Sequence, residues 1–94
     1  MQINIKHDED NQKFFTDING STARLEYKLR GKDTIDFLST FVPKEFRHHG
    51  IGKKLAEKGL NYAKENNLNV IPTCSFIDNF IEEHDEFKKL LTSF

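Results

Sequence analysis

The sequence predicts a mixed α/β fold of the α+β kind: four mainly antiparallel strands, a central helix, a fifth parallel strand and two short C-terminal helices. Three observations carry that expectation. Residues 2 to 42 alternate apolar and polar side chains between turn signals, and residues 51 to 63 switch to helical spacing directly after two glycines. A short β-branched run at 68 to 73 follows the helix. A strand, a crossover helix and a further strand make a right-handed βαβ unit, so the last two strands are expected to run parallel. With 94 residues the chain suffices for one small domain over 1–94 and is too short for two.

Taken in order, residues 2 to 7 alternate with Ile3 and Ile5 on one side and predict a first strand, closed by a turn at Asp8-Glu9-Asp10-Asn11. Residues 13 to 18 predict a second strand, ended by Asn19-Gly20, a dipeptide suited to the positive φ angles of a tight hairpin. In the third strand Ala23, Leu25, Tyr27 and Leu29 share one face while Thr22, Arg24, Glu26, Lys28 and Arg30 share the other. After Gly31-Lys32-Asp33 the fourth strand runs from Thr34 to Val42. Its alternation breaks at Phe37-Leu38, which fits either a β-bulge or burial of both faces.

Ile51, Leu55, Gly59, Tyr62 and Ala63 recur at helical spacing until Asn66-Asn67. Leu68 to Thr73 supplies the fifth strand. Ser75-x-x-Asp78 has the form of a capping box with Asp in place of Glu, ahead of Phe76, Ile77, Phe80 and Ile81. Asp85 is placed to cap a last short helix carrying Phe87, Leu90 and Leu91. The phenylalanines Phe76, Phe80, Phe87 and Phe94 are expected as core or ligand-covering packing in preference to a specific recognition box, with the core favoured.

Composition narrows the function classes. Lys plus Arg number 14 against 15 for Asp plus Glu, so no surplus of positive charge points to nucleic acid. One cysteine rules out an internal disulfide, and no apolar run is long enough to span a membrane. The beginning of the chain has no signal-peptide apolar region, which makes a cytoplasmic location the expectation. His7, His48, His49, His84 and Cys74 follow no metal-ligand spacing. A monomer or weak dimer is expected.

The segment with most chemistry is Val42-Pro43-Lys44-Glu45-Phe46-Arg47-His48-His49-Gly50-Ile51-Gly52-Lys53-Lys54. Two glycines strip side chains from the start of a helix, where backbone N–H groups lack partners and the macrodipole is positive. Such a turn suits a phosphate or pyrophosphate, and Arg47, Lys53 and Lys54 add charge around it.

Arg47-x-x-Gly50-x-Gly52 after an extended segment resembles the coenzyme A pyrophosphate loop of the GNAT acetyltransferase superfamily. Val70-Ile71-Pro72-x-Cys74, then Phe80, His84 and Glu86-Phe87, narrow the resemblance to small single-domain GNAT-like proteins, over nearly the whole chain. The resemblance implies a GNAT-like mixed sheet and an N-acetyltransferase that takes an acetyl group from acetyl-CoA to an amine. The expected coenzyme contacts are Phe41, Val42, Arg47, His48, His49, Gly50, Ile51, Gly52, Lys53 and Lys54. The pantetheine arm is expected to lie along Phe41-Val42-Pro43, where Pro43 has no N–H to offer.

Cys74 has two readings, an acetyl-accepting nucleophile or neighbour of the thioester, and a small buried apolar residue. His84 likewise is either a base or orienting partner for that thiol, or a helix-terminal histidine; Asp85 follows it where the family has proline. Ser39-Thr40 stands where small GNAT-like proteins usually show His-Thr, which leaves the general base unassigned. The acceptor, a protein side chain or a small amine, is open. The alternative class is a coenzyme A-binding or interaction module without turnover. More remotely, Gly50-Ile51-Gly52-Lys53-Lys54 resembles the hairpin of helix-hairpin-helix DNA-binding modules, which would require a helix before the glycines.

Overall fold

The computed structural model describes residues 3–91. Strands β1 (Lys6–Asp8), β2 (Lys13–Ile18), β3 (Ser21–Arg30), β4 (Thr34–Phe41) and β5 (Asn69–Ile71) form one sheet in that order. Neighbours are antiparallel except β4 and β5, which run parallel. Helix α1 (Ile51–Glu65) makes the crossover between them, α2 (Ser75–Glu82) follows β5, and short 3₁₀ turns occupy Lys44–Phe46 and Asp85–Leu90.

The hairpin from β2 to β3 turns on Asn19 at φ 49 and Gly20 at φ 85, the pair of positive angles a two-residue connection needs. The break at Phe37-Leu38 is a bulge. Tyr27 pairs with Phe37 and Glu26 with Ser39, so Leu38 is the extra residue on β4. Beyond it β4 turns away from β5, whose own pairing covers only Thr34 to Asp36 and is extended by Cys74 N–H donating to Phe37 O at 2.8 Å. From Leu38 onward that edge of β4 has no strand beside it among the described residues. The two parallel strands therefore part just where a ligand could enter.

One apolar core lies between the sheet and the helices. Phe14, Leu25, Ile35, Phe37, Leu55, Leu60, Val70, Ile77 and Ile81 are completely buried in it. Helix α1 crosses β2, β3 and β4, and α2 packs on β4 and α1. At Gly59 an added Cβ would come within 2.9 Å of both Leu25 Cδ2 and Phe37 Cε1. The missing side chain lets the helix sit directly on the bulged strand.

Several expectations are corrected. The first strand is Lys6–Asp8, displaced from 2–7; Ile3 and Ile5 pack against the core from outside it, and residue 2 lies outside the described residues. Leu29 follows the alternation but is 48% exposed, because the strand runs on beyond the core. The fifth strand is shorter than 68–73, and the fourth ends at Phe41 instead of Val42. Neither capping prediction holds: Cys74 caps α2 without a side-chain bond, and Ser75 is already helical. His84 precedes the last turn, while Asp85 pairs with Lys88 at 2.8 Å. Phe80 and Phe87 are core residues, but Phe76 is 38% exposed; Phe94 lies outside the described residues.

Candidate functional site

The connection from β4 to α1 makes the candidate site. After Phe41, Pro43 is buried and the 3₁₀ turn reverses the chain. Arg47 folds back so that its Nε donates to Val42 O at 3.1 Å, tying the loop to the strand end. His48 and Gly50 both take left-handed angles, φ 70 and 77, which lift the backbone away from the sheet before the helix starts. The first α1 hydrogen bond is Lys54 N–H to Gly50 O at 3.1 Å. Among the described residues, the backbone N–H groups of His48 to Lys53 have no acceptor. The first turn of α1 contains no acidic residue, so nothing in it competes for those donors.

A cleft of about 400 Å³ lies against this segment. Its walls are Thr40 from β4, Val42 just after it, Phe46 and Arg47 from the turn, His48 to Lys53 without His49, and Phe76 from α2. The lining combines apolar surface with backbone donors and two cationic side chains. That is the donor set for a diphosphate joined to an apolar arm.

The expected coenzyme-binding residues divide. Val42, Arg47, His48, Gly50, Ile51, Gly52 and Lys53 line the cleft. Phe41 does not; it is 43% exposed and its ring carries the Arg24 guanidinium at 4.9 Å. His49 is exposed outside the lining, and Lys54 borders a separate shallow groove with Ile5 and Lys58. Lys53 and Lys54 project from α1 in different directions, Lys53 to the cleft and Lys54 to the groove.

Cys74 is buried, and its Sγ lies 3.4 Å from Thr40 Oγ1. Thr40 lines the cleft and Cys74 does not, so the thiol stands one side chain behind the wall. His84 is not brought to it. The two residues flank opposite ends of α2, whose eight residues span roughly 12 Å at about 1.5 Å rise each. His84 is occupied locally, with Nδ1 2.7 Å from Phe80 O and its ring stacked on Phe80 at 3.9 Å. A role as orienting partner for Cys74 is thereby corrected. Ser39 Oγ donates to Glu26 Oε1 at 3.0 Å, and Glu45 accepts from Ser21 at 3.4 Å; neither lines the cleft. The residues before Pro43 form β4, so the helix that a helix-hairpin-helix module requires is absent and that reading is withdrawn.

Thr40, Phe46 and Phe76 are cleft residues that sequence reasoning did not single out as contacts. Only Thr40 carried a signal, as the second half of the Ser39-Thr40 pair. On α2, Phe76 lies one residue before buried Ile77, and apolar spacing does not separate the last core position from the first outside it.

A second polar cluster lies about three turns further along α1. His7 Nε2 is 2.6 Å from Tyr27 Oη, its ring stacks on Phe14 at 4.0 Å and meets Tyr62 edge-on at 4.6 Å. Burial pushes the His7 imidazole down and the Tyr27 phenol up to about 12. Beneath β4, Asp36 accepts from Thr73 Oγ1 at 2.5 Å and from Arg30 Nη2 at 3.2 Å, fastening the segment that delivers Cys74. Among the described residues no group of His, Cys, Asp and Glu could hold a metal, and no helix is long and apolar enough to cross a membrane.

A mixed sheet whose parallel pair parts beside a glycine-opened helix start defines a mixed α/β class of fold built on one crossover helix. Comparison with known proteins names the family. The model of the GCN5-related N-acetyl-transferase family matches residues 13–90, and the chain belongs to that family. It is 34% identical over 84 residues to Protein NATD1 of Xenopus tropicalis, covering 87% of this chain and 77% of the relative. With human Protein NATD1 the identity is 33%, over 87% and 74% of the two chains. The solution structure of a GCN5-like protein from Staphylococcus aureus superposes with a TM-score of 0.74 at 31% identity, covering 97% of this chain and 89% of the other.

Proposed function

We propose that the protein binds acetyl-CoA along residues 40 to 53 and moves its acetyl group to a primary amine. The observation that carries this reading is the run of backbone N–H groups from His48 to Lys53, without acceptors among the described residues, in a segment of which His48 and Gly50 to Lys53 line the cleft. Those amides, with Lys53 and the outer nitrogens of Arg47, would hold the pyrophosphate, and Val42 and Phe46 would line the apolar arm. Bound acetyl-CoA supplies the thioester: the amine nitrogen bonds to its carbonyl carbon, the C–S bond breaks and the thiol leaves with a proton. Thr40, backed by Cys74, is the part of the wall against which the acetyl group would lie. Because the Cys74 thiol stands behind Thr40, the arrangement favours direct transfer, with Cys74 supporting that wall, over an acetylated enzyme.

The test is calorimetric titration with acetyl-CoA, followed by release of free thiol on addition of a panel of primary amines. Binding with release supports the reading; no heat at millimolar acetyl-CoA refutes it. One observation favours a second reading, a coenzyme A-binding module without turnover: among the described residues no carboxylate lines the cleft, and His48 is its one imidazole. Binding without release for any amine would select it.

A further inference from the structure

Gly50 and Gly52 are glycines for different physical reasons. Gly50 has φ 77 and open space around its Cβ position. Gly52 has an ordinary helical backbone, but a Cβ there would lie 2.9 Å from Phe76 Cζ. The ring of Phe76 therefore rests flush against the first turn of α1. It is also a wall of the cleft, and at 38% exposed it is not held there by the core. Ile77, beside it in α2, is wholly buried and anchors the helix. An aromatic side chain kept half in solvent, with its seat made by a missing side chain, is not explained by packing alone.

We propose that Phe76 is the wall that screens the anion-binding amides of α1 from water and so sets the affinity for the diphosphate. This inference rests on the coenzyme-binding reading above. Hydrogen bonds from Gly50 to Lys53 amides to a phosphate strengthen as water is excluded, because the local dielectric falls and mobile ions cannot screen them. Phe76 is the residue placed to exclude water from the α2 side of that turn. Gly52 is required because any side chain would push the ring off.

The experiment titrates coenzyme A into the wild type, Phe76→Ala, Phe76→Tyr, Gly52→Ala and the Gly52→Ala/Phe76→Ala double variant, at several sodium chloride concentrations. Phe76→Ala is expected to weaken binding roughly three- to tenfold, the worth of one aromatic contact. Its affinity should also fall more steeply with salt, a response that mere loss of packing would not give. Phe76→Tyr should bind like the wild type. Gly52→Ala should weaken binding in the wild type and have little effect once Phe76 is Ala, since it acts by displacing the ring. Thermal midpoints separate these effects from unfolding. If Phe76→Ala binds coenzyme A as the wild type does, with the same salt dependence, the inference is wrong while the coenzyme site stands. If the wild type does not bind, both fall.

Discussion

Thr40 Oγ1 and Cys74 Sγ lie 3.4 Å apart, joining β4 to the start of α2 at the point where β4 and β5 have separated. The contact backs Thr40, which lines the cleft. It also separates two roles for the cysteine: as a support for Thr40 it needs only a group that can hydrogen-bond, whereas as a nucleophile it needs sulfur.

Cys74→Ser should therefore keep acetyl-CoA affinity and most of any amine-dependent thiol release. Cys74→Ala should keep affinity but lose release. An acetyl adduct on Cys74, seen by mass spectrometry during turnover, or a serine variant as inactive as alanine, would restore the covalent mechanism.

Gly59→Ala should destabilise the fold by about 1–3 kcal/mol, the usual cost of overfilling a packed core. Its Cβ would meet Leu25 and Phe37 at 2.9 Å, and neither has free space to retreat into. Urea unfolding measures the loss. An unchanged midpoint would mean that α1 can lift from the sheet without penalty.

At Gly50 the obstacle is the backbone. A left-handed φ of 77 costs an ordinary L-residue roughly 1–2 kcal/mol, although no atom blocks the side chain. Gly50→Ala should lose about that stability, and Gly50→Asn less, because asparagine tolerates this region. Equal midpoints for the two would count against a strained loop.

The His7 cluster predicts the pH response. Burial lowers the His7 imidazole below its ordinary 6.5, outweighing the upward pull of Glu9 and Asp8, while Lys58 also pushes it down. The folded state thus favours neutral His7, with Tyr27 able to donate to Nε2. The stabilisation is complete above pH 6.5 and is lost as pH falls through the lower folded value. Thermal midpoints should fall on that side, and His7→Phe should flatten the decline. A His7 titration by NMR at or above 6.5 would contradict the scheme.

Asp36→Ala leaves Thr73 and Arg30 without their common acceptor beside the Cys74 segment. A loss of about 0.5–1.5 kcal/mol is expected, because Asp36 is buried while Thr73 and Arg30 are exposed and regain water as partner. Thr73→Val should lose less, since the ion pair with Arg30 remains. Hydrogen exchange at Cys74 N–H, which bonds to Phe37 O, should quicken in both variants. Unchanged exchange would show that the backbone bond holds the segment unaided.

Local chemistry made much of this protein legible from residue order alone. Alternation in β3, the Asn19-Gly20 hairpin, the break in alternation at Phe37-Leu38 and the α1 spacing are each decided within a few residues, while the register with β3 decided that the break is a bulge. So is the glycine-stripped start of α1, whose backbone donors depend on no distant partner. Tertiary structure decided what depends on distance across the sheet. It put Thr40 against Cys74, held His84 at the far end of α2, turned Phe41 and Lys54 away from the cleft, and set Phe76 over Gly52. These contacts join residues far apart in the chain, and side-chain periodicity records which face is apolar but not what lies opposite it.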